Sequence, residues 1–446
     1  MALYIHQFIY QIGFWFTWLL IPIVVEILPA SLHAFRLQRT IKLSQAYQVP
    51  LKLPMISIVL PVYNSGETLY HCIASIAASS YPKALIQIIV ANNHSTDNSF
   101  QVFHQAQADF PELRLQWMNT DAGKARALNA AIYNSMGSYI MNLDTDGWLE
   151  PSALSNMVLY FENNKQVDAA TGTILTQKSA IEGTQNKRLK LLQRNEYVEY
   201  AQAFLSGRSI ENQNDRLFTM SGAFSAFRRE VLVQTYMYNV DTIGEDTDMT
   251  FQLRYRLGKR IGFVVDAIFY VEPISGLEAL YLQRQRWQRG QIEVAQNFLQ
   301  QKLNLYQFFS HFMVGRLMVD HTFVFPRLIW MIGLGMLVYL GYSPVVVGLS
   351  LMMMYLLYVV FGFLNYWSAL QLLAKFETER RYYLKQWPML LTLPLYNGLN
   401  TVIRLVGIIN ATTTRANWQT KKFSTEMAEI RAIIRSDFRL TKKEKK

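Results

Sequence analysis

Short runs of apolar and β-favouring residues recur through the middle of the chain, and most are followed by a polar loop and then by a segment with helical spacing. This alternation predicts an α/β domain with a mostly parallel sheet and right-handed crossover connections. The loops that follow the strands would then converge at one edge of the sheet. The predicted strands are Met55–Leu60, Ile86–Val90, Leu113–Met118 and Tyr139–Leu143, and the predicted helices include Glu67–Ala78 and Asp121–Ser135.

Two carboxylates follow the last of these strands. Asp144 and Asp146 lie one residue apart, at the edge where ligands bind in open α/β sheets. Carboxylates at this spacing can share Mg²⁺ or Mn²⁺ with the oxygens of a diphosphate, so the pattern predicts a nucleotide-diphosphate site. Asp246 and Asp248 repeat the pattern, so the spacing alone is weak, and a solvated turn that caps the next helix is the alternative.

Long segments with little or no charge lie towards both ends of the chain. The segment Phe8–His33, in which Glu26 is the one acidic residue, is long enough to cross a hydrocarbon core about 30 Å thick. No charged residue occurs in Leu328–Ala374, which Gly341–Pro344 divides into two pieces, so we predict a transmembrane hairpin there. A further uncharged stretch, Gln386–Ile403, contains prolines and asparagines, and is either a third span or a re-entrant segment.

Basic residues set the expected orientation. Met1–His6 holds no Lys or Arg, whereas Arg36, Arg39 and Lys42 follow the first predicted span. The positive-inside rule therefore places the N-terminus outside the cell and the central domain in the cytosol of a multi-pass protein of the cell membrane. A cleaved signal peptide is the alternative, although no basic region precedes the apolar run.

The chain has 43 basic and 32 acidic residues, and the positive charges cluster beside the predicted membrane segments. The lipid bilayer is therefore a simpler partner for them than nucleic acid, and we expect no nucleic-acid partner. The single cysteine, Cys72, excludes an intrachain disulfide.

Six short motifs follow one another along the central part of the chain: Ile58–Asn64, Ser95–Asp97, Gly123–Ala125, Asp144–Asp146, Gly244–Asp246 and Gln283–Trp287. Their order resembles that seen in family 2 glycosyltransferases. The chain most resembles the processive membrane synthases of that family, such as those of poly-N-acetylglucosamine, hyaluronan and cellulose. The resemblance covers roughly Met55–Gly290 and implies a GT-A fold for the cytosolic domain.

With the uncharged segments, the resemblance implies a catalytic domain flanked by transmembrane helices. The expected units are an N-terminal anchor at 1–35, a linker at 36–54, the GT-A domain at 55–300, an interfacial amphipathic helix at 301–320, a C-terminal membrane region at 321–410 and a basic cytosolic tail at 411–446.

For the donor, the resemblance implies a pocket built from several strand ends. Pro61 and Tyr63 would form one wall, with the tyrosine ring facing the base. Lys124 can meet phosphate as a point charge. Asp144 and Asp146 would hold Mg²⁺ or Mn²⁺ against the diphosphate and stabilise the charge on the leaving group.

For the acceptor, the small-residue turn Ser221–Gly222 resembles the acceptor loop of the family. By the same resemblance Asp246 is the general base, and Glu245 is the second candidate. The chemistry requires a carboxylate within hydrogen-bond reach of the acceptor hydroxyl. The alternative for both acids is a stabilising position in the first turn of a helix.

The predicted helix Leu277–Gln291 presents Gln283, Arg286 and Trp287 on one face, because they are spaced at i, i+3 and i+4. An amide, a cation and an indole suit a diphosphate flanked by a sugar ring. An amphipathic helix at the membrane surface would also be rich in Arg and Trp, and remains the alternative.

One feature departs from the family pattern. The family has an acid before Ser-Thr-Asp, where this chain has Asn92 and Asn93. An amide oxygen can still accept a hydrogen bond from a uracil ring nitrogen, but it carries no charge. The prediction that the base is uridine is therefore weaker than the prediction of a diphosphate. The double asparagine also resembles glycosyltransferases encoded beside Gram-positive exosortases.

The resemblance implies an inverting glycosyltransferase that moves a sugar from a nucleotide-sugar donor, UDP-N-acetylglucosamine or a related hexose, to a growing polysaccharide. Two alternatives remain open. The first is a single transfer to a lipid-linked acceptor. The second is a non-catalytic subunit of a polysaccharide export complex, with accessory export subunits as partners.

Overall fold

Residues 23–43, 47–299, 333–341 and 343–413 are described by the structure, which is a computed structural model. Most of the predicted N-terminal anchor, the predicted interfacial helix 301–320 and nearly all of the basic tail lie outside these residues. So does the start of the predicted hairpin, up to residue 332.

An eight-stranded mixed sheet forms the centre of the molecule, with the strand order β3-β2-β1-β4-β7-β6-β8-β5. Parallel pairing joins β3, β2, β1 and β4, as the alternating pattern predicted. The strand β7 then pairs antiparallel with β4 and β6, so the second half of the sheet is mixed. The strands are β1 (Ile56–Val62), β2 (Ile86–Asn92), β3 (Arg114–Asn119), β4 (Tyr139–Leu143), β5 (Gly147–Leu149), β6 (Ala169–Thr176), β7 (Phe224–Arg228) and β8 (Ile261–Val271).

Helices cover both faces of the sheet, because alternate residues of each buried strand point to opposite sides. In β1, Val59 belongs to a core that includes Leu128, whereas Ile58 and Leu60 belong to a core that includes Ile73. The helices of this part are α1 (Leu28–Leu43), α2 (Leu69–Ala77), α3 (Ser99–Asp109), α4 (Lys124–Tyr133), α5 (Ala153–Asn163), α6 (Lys178–Gly183), α7 (Lys187–Tyr200), α8 (Arg208–Gln213), α9 (Arg229–Leu232), α10 (Glu245–Phe251) and α11 (Leu277–Leu299).

Three further helices, α12 (Pro344–Leu372), α13 (Glu377–Lys385) and α14 (Met389–Thr413), follow the domain. Among the described residues, one segment, Pro344–Lys375, is long and apolar enough to cross a membrane. The predicted break in the hairpin is a turn at Gly341, whose φ of +92° favours glycine. The stretch Gln386–Ile403, predicted as a third span or a re-entrant segment, begins with a turn at 386–388 and then continues as the helix α14 without a break at Pro394.

Candidate active site

Polar loops tie the carboxyl ends of β1, β2 and β4 together. The side chain of Asn64, whose φ is +49°, accepts from the backbone N–H of Thr96 over 2.8 Å. The hydroxyls of Ser65 and Thr145 lie 2.8 Å apart. Three of the loops that the sequence predicted at one edge are therefore joined by hydrogen bonds, and they form the rim of a cleft.

Pro61 and Tyr63 occupy this rim. Pro61 is buried inside β1 and pairs with Ala91 of β2, so it shapes the backbone and has little surface to offer a ligand. The Tyr63 side chain is 61% exposed, so its ring is accessible to a planar ligand.

Asn92 and Asn93, at the end of β2, each form side-chain hydrogen bonds that hold neighbouring loops in place. The amide oxygen of Asn92 accepts from Ser95 N–H over 2.9 Å, and its nitrogen donates to Asn119 Oδ1 over 3.0 Å. Asn93 Oδ1 accepts from Gly123 N–H over 2.5 Å. Each amide oxygen has a second lone pair, so recognition of a base stays a prediction for these two residues.

Lys124 lies at the centre of a group of carboxylates. It begins α4 directly after Gly123, whose φ is +127°. Its Nζ is 2.7 Å from Asp144 Oδ1 and 3.6 Å from Glu245 Oε1. Burial alone would lower the pKa of Lys124, but these carboxylates raise it well above its usual range. The cation therefore stays charged and links the end of β4 to α10.

Asp146 is the second carboxylate at the end of β4. It is accessible to solvent, yet the surrounding protein partly desolvates the carboxylate, and with the adjacent charge of Asp144 this raises the pKa of Asp146 to about 6. Two repelling carboxylates form a site that a divalent cation would stabilise. No group of three or more His, Cys, Asp or Glu side chains among the described residues could hold a metal ion. The pair fits Mg²⁺ or Mn²⁺ bound through one or two carboxylates, substrate phosphates and water.

The first turn of α10 supplies the next two acids. Asp246 Oδ2 accepts from Gly222 N–H over 3.2 Å, and Oδ1 accepts from Thr247 N–H over 2.6 Å. Burial raises the pKa of Asp246 above its usual value, and burial opposed by Lys124 raises the pKa of Glu245 to about 7.

Gly222 brings the predicted acceptor loop against this cluster. A Cβ at this position would lie 3.4 Å from Asp246 Oδ2 and 3.7 Å from Lys124 Nζ. Ser221 N–H donates to Thr171 Oγ1 over 3.0 Å, which fixes the turn on β6. The structure thus brings the acceptor loop, the candidate base and Lys124 together.

The second Asp-x-Asp pattern divides between two environments. Asp248 is 3% exposed and accepts from Gln252 Nε2 over 2.6 Å, on the interior side of α10. Asp246 instead faces Gly222. A pair that points in two directions does not form a metal site resembling Asp144 and Asp146.

The helix α11 carries the predicted Gln283, Arg286 and Trp287 face. Gln283 Nε2 donates to Tyr200 OH over 3.3 Å, and the Trp287 ring centroid lies 6.4 Å from that of Tyr200. Trp287 is 39% exposed, and Arg286 is exposed as well. Gln283 and Trp287 therefore share one tyrosine as a support.

The sequence did not indicate that two arginines are buried behind the acceptor loop and behind Trp287. Arg208 is 5% exposed, and its Nη1 donates over 3.3 Å to Thr171 Oγ1, the same atom that accepts from Ser221. Arg284 is buried behind Trp287, inside the Gln283–Trp287 motif, and its Nη2 donates to Glu199 Oε2 over 2.5 Å. The pairs Arg208–Thr171 and Arg284–Glu199 join residues 37 and 85 positions apart in the chain, so no local pattern marks either pair.

The central part of the chain is similar in sequence to known glycosyltransferases. The family model described as glycosyl transferase family 2 matches residues 57–235. A poly-β-1,6-N-acetyl-D-glucosamine synthase of Staphylococcus aureus is 28% identical over 246 residues, which cover 54% of this chain and 56% of the relative. A synthase of the same description from Staphylococcus epidermidis is 26% identical over 240 residues, which cover 54% of this chain and 55% of the relative. The alignments thus span little more than half the length of these relatives.

Solved structures show the same fold. A mannosyltransferase from Pyrobaculum calidifontis, in complex with GDP-Man and Mn²⁺, superimposes with a TM-score of 0.55 at 17% identity. The match covers 78% of this chain and 95% of the mannosyltransferase.

Proposed function

We propose that this chain is a membrane-bound, metal-dependent, inverting hexosyltransferase. The match of residues 57–235 to the model of glycosyl transferase family 2 supports this reaction class. Its donor is a nucleotide-sugar, UDP-N-acetylglucosamine or a related hexose, and its acceptor is a growing polysaccharide. The similarity to the staphylococcal poly-β-1,6-N-acetyl-D-glucosamine synthases supports this sugar and this acceptor.

The observation that carries the proposal is the meeting of Lys124, Asp144, Glu245, Asp246 and Gly222. A charged lysine lies between the strand-end carboxylate and the helix-start carboxylates, with Nζ–O distances of 2.7 and 3.6 Å. This arrangement places a cation that can bind a phosphate oxygen beside a carboxylate that can accept the proton of a hydroxyl. A structural helix cap would need neither the lysine nor the close approach of Gly222.

We assign the donor side of the cleft as follows. Asp144 and Asp146 would hold Mg²⁺ or Mn²⁺, which when bound neutralises charge on the leaving diphosphate. Lys124 would exchange a carboxylate for a phosphate oxygen, since both are anionic hydrogen-bond acceptors. Tyr63 would stack on the base.

On the acceptor side, Asp246 would take the proton of the attacking hydroxyl as that oxygen bonds to the anomeric carbon of the donor sugar. The bond to the diphosphate breaks at the same carbon, which inverts its configuration. Ser221 and Gly222 would hold the acceptor. Gln283, Arg286 and Trp287 would flank the diphosphate and the terminal sugar.

The membrane assignment rests on the apolar Pro344–Lys375 segment and on the uncharged run near the N-terminus. We place the catalytic domain in the cytosol, because Arg36 and Arg39 follow the first apolar run and Lys375 and Arg380 follow the second.

The direct test is transfer by purified full-length protein in lipid, supplied with Mg²⁺ or Mn²⁺ and a panel of radiolabelled nucleotide sugars. We expect one donor to label a product that is lost on chelation. Product length then separates a polysaccharide from a lipid-linked monosaccharide. Absence of transfer from every donor, with metal and lipid present, would refute the proposal.

A further inference from the structure

A buried cation lies directly behind the indole of Trp287. The Arg284 side chain is 6% exposed, and its Cζ lies 4.3 Å from the Trp287 ring centroid. Its Nη2 donates to Glu199 Oε2 over 2.5 Å. Within the described part of the chain, Glu199 is the one carboxylate within 4.0 Å of this guanidinium. The charge that supports Trp287 is therefore balanced by one partner, on α7.

The same carboxylate is held by the C-terminal helix. Tyr396 OH donates to Glu199 Oε2 over 3.0 Å, and Asn400 Nδ2 donates to Oε1 over 3.4 Å. Tyr396 and Asn400 lie four residues apart, on one face of α14. Glu199 thus joins α14 to α11, although it belongs to neither.

We propose that Glu199 is a positioning residue that fixes the Trp287 face of α11 to the C-terminal helix α14 through Arg284. The inference rests on the proposed function, because that function gives Trp287 its acceptor. Arg284 is buried and Glu199 is partly buried, so removing Glu199 leaves a buried charge uncompensated, which costs more than losing a surface ion pair. A displacement of α14 would be transmitted to Trp287 through Glu199 and Arg284.

The carboxyl of Glu196, one helical turn from Glu199, allows the role of Glu199 to be tested through its dependence on pH. Glu196 is buried; its Oε2 accepts from Ile274 N–H over 2.9 Å, and its Oε1 has no hydrogen-bond partner among the described residues. Burial raises the pKa of Glu196 to about 8, although the Ile274 hydrogen bond and the Arg284 charge oppose the shift.

The groups that face Glu196 are Arg284 from α11, Tyr396 from α14, and Glu199 and Tyr200 from its own helix. Below its pKa Glu196 is protonated, so Glu199 supplies the negative charge that Arg284 needs. Above its pKa Glu196 is ionised and can take over that task. Loss of the Glu199 charge should consequently matter most at low pH.

The test is Glu199→Gln in the full-length protein, compared with wild type near pH 5 and near pH 9. The amide keeps the size and an acceptor oxygen for Tyr396, but it removes the counter-ion of Arg284. The Glu199 charge contributes to the raised pKa of Glu196, so Glu196 ionises at a lower pH in the variant than in the wild type. We expect the KM for an acceptor oligosaccharide to rise by ~10-fold near pH 5 and to approach wild type near pH 9, because Glu196 ionises between them. The KM for the donor should stay within about two-fold.

Glu182→Gln is a matched control. Glu182 also accepts from an arginine and a tyrosine, Arg194 Nη2 at 2.9 Å and Tyr382 OH at 3.0 Å, but neither contact reaches α11. We expect its acceptor KM to equal wild type at both pH values. An unchanged acceptor KM in Glu199→Gln, a pH-independent defect, or an equal rise in donor KM would overturn the inference.

Amide hydrogen exchange of Leu277–Leu299 gives a second readout that needs no transfer. Glu199→Gln should speed exchange in this helix several-fold near neutral pH, whereas Glu182→Gln should not. Equal exchange in both variants would contradict the inference. Absence of transfer by the wild type would refute the proposed function alone, because exchange still tests the link.

Discussion

Asp246 is held by three hydrogen bonds, and one of its carboxylate oxygens can still accept another. Gly222 N–H donates to Oδ2, whereas Thr247 N–H and Thr247 Oγ1 both donate to Oδ1. Each carboxylate oxygen can accept about two hydrogen bonds, so an acceptor hydroxyl can approach Oδ2. Fixed orientation and a pKa raised by burial both favour proton transfer from an acceptor.

If Asp246 is the base, Asp246→Asn should separate binding from transfer. The amide keeps the size of the side chain but cannot accept the proton, so we expect transfer to fall by ~10²-fold or more. Donor affinity should change by no more than a few-fold, measured by titration calorimetry with a non-transferable donor analogue. Near wild-type transfer by this variant would instead point to Glu245, whose pKa of about 7 makes it the next candidate.

Asp146→Ala tests the metal site at the end of β4. We expect it to abolish the metal-dependent part of nucleotide binding, because two carboxylates and a diphosphate share the cation. Asp248→Ala is the matched control from the second Asp-x-Asp. Asp248 is buried against Gln252, so its loss should lower the melting temperature while metal-dependent binding persists. Equal losses of binding would show that the wrong pair was chosen.

The raised pKa of Asp146 also fixes the pH dependence of the metal site. Below about 6 the carboxyl is protonated and a cation must displace the proton; above it, the carboxylate is free to bind. Metal affinity of the wild type should therefore weaken as the pH falls through 6. A flat dependence between pH 5 and 7 would argue against Asp146 as a ligand.

At the scale of elements, local patterns predicted the first half of the sheet and little of the second. The strands β1, β2 and β4 were found within a residue or two, since buried parallel strands are continuous apolar runs. The antiparallel insertion of β7 depends on pairing with β4, more than 80 residues earlier in the chain, which no local period encodes.

The helix α7 shows why part of the site could not be predicted. Its sequence, KRLKLLQRNEYVEY, is rich in charge and would be typical of a solvated helix. In the structure, however, Asn195 and Glu196 are buried, and Glu199 pairs with Arg284 from a distant part of the chain. The order of the motifs predicts which loops form the cleft. The polar contacts that support the cleft depend on tertiary packing and could not be predicted from the motifs.

The face of α11 leads to a prediction for product length. The Trp287 ring packs edge to face against the Phe204 ring, with the ring centroids 5.8 Å apart, and the Trp287 side chain remains 39% exposed. Removing the ring in Trp287→Ala takes away a stacking surface worth ~0.5–1.5 kcal/mol, so acceptor affinity should fall ~3–10-fold and the product should shorten.

The matched control for this variant is Trp117→Ala, at the edge strand β3. Trp117 packs against Phe100 and Phe103 at ring-centroid distances of 5.1 and 5.2 Å, and its Nε1 donates to Asn119 Oδ1, which also accepts from Asn92. These contacts lie at β2, β3 and α3 and not on α11, which carries Trp287. Its removal should cost stability and leave product length unchanged on a sizing gel. Shortening by both variants would show a general loss of folding instead of a lost sugar contact.

At the scale of the whole molecule, the C-terminal helices are fastened to the catalytic domain by polar contacts. Glu379 of α13 pairs with Lys178 and accepts from Tyr197 OH over 3.3 Å. Lys375, at the end of the apolar segment, pairs with Asp266. A helix long and apolar enough to cross a membrane is thus joined directly to the sheet, so the proposed membrane attachment and the cleft share one support.

The proposed topology places the two ends of the chain on opposite sides of the membrane. We expect Ala2→Cys to react with an impermeant maleimide on intact cells and Ser436→Cys to react only after lysis. The native Cys72 is fully buried, and burial raises the pKa of its thiol, so it contributes no background. Leu51→Cys, at a fully exposed position of the linker just before the catalytic domain, is the cytosolic reference. Labelling of both ends from outside, or of neither, would exclude this topology, because the basic residues after the first span require the N-terminus to lie outside.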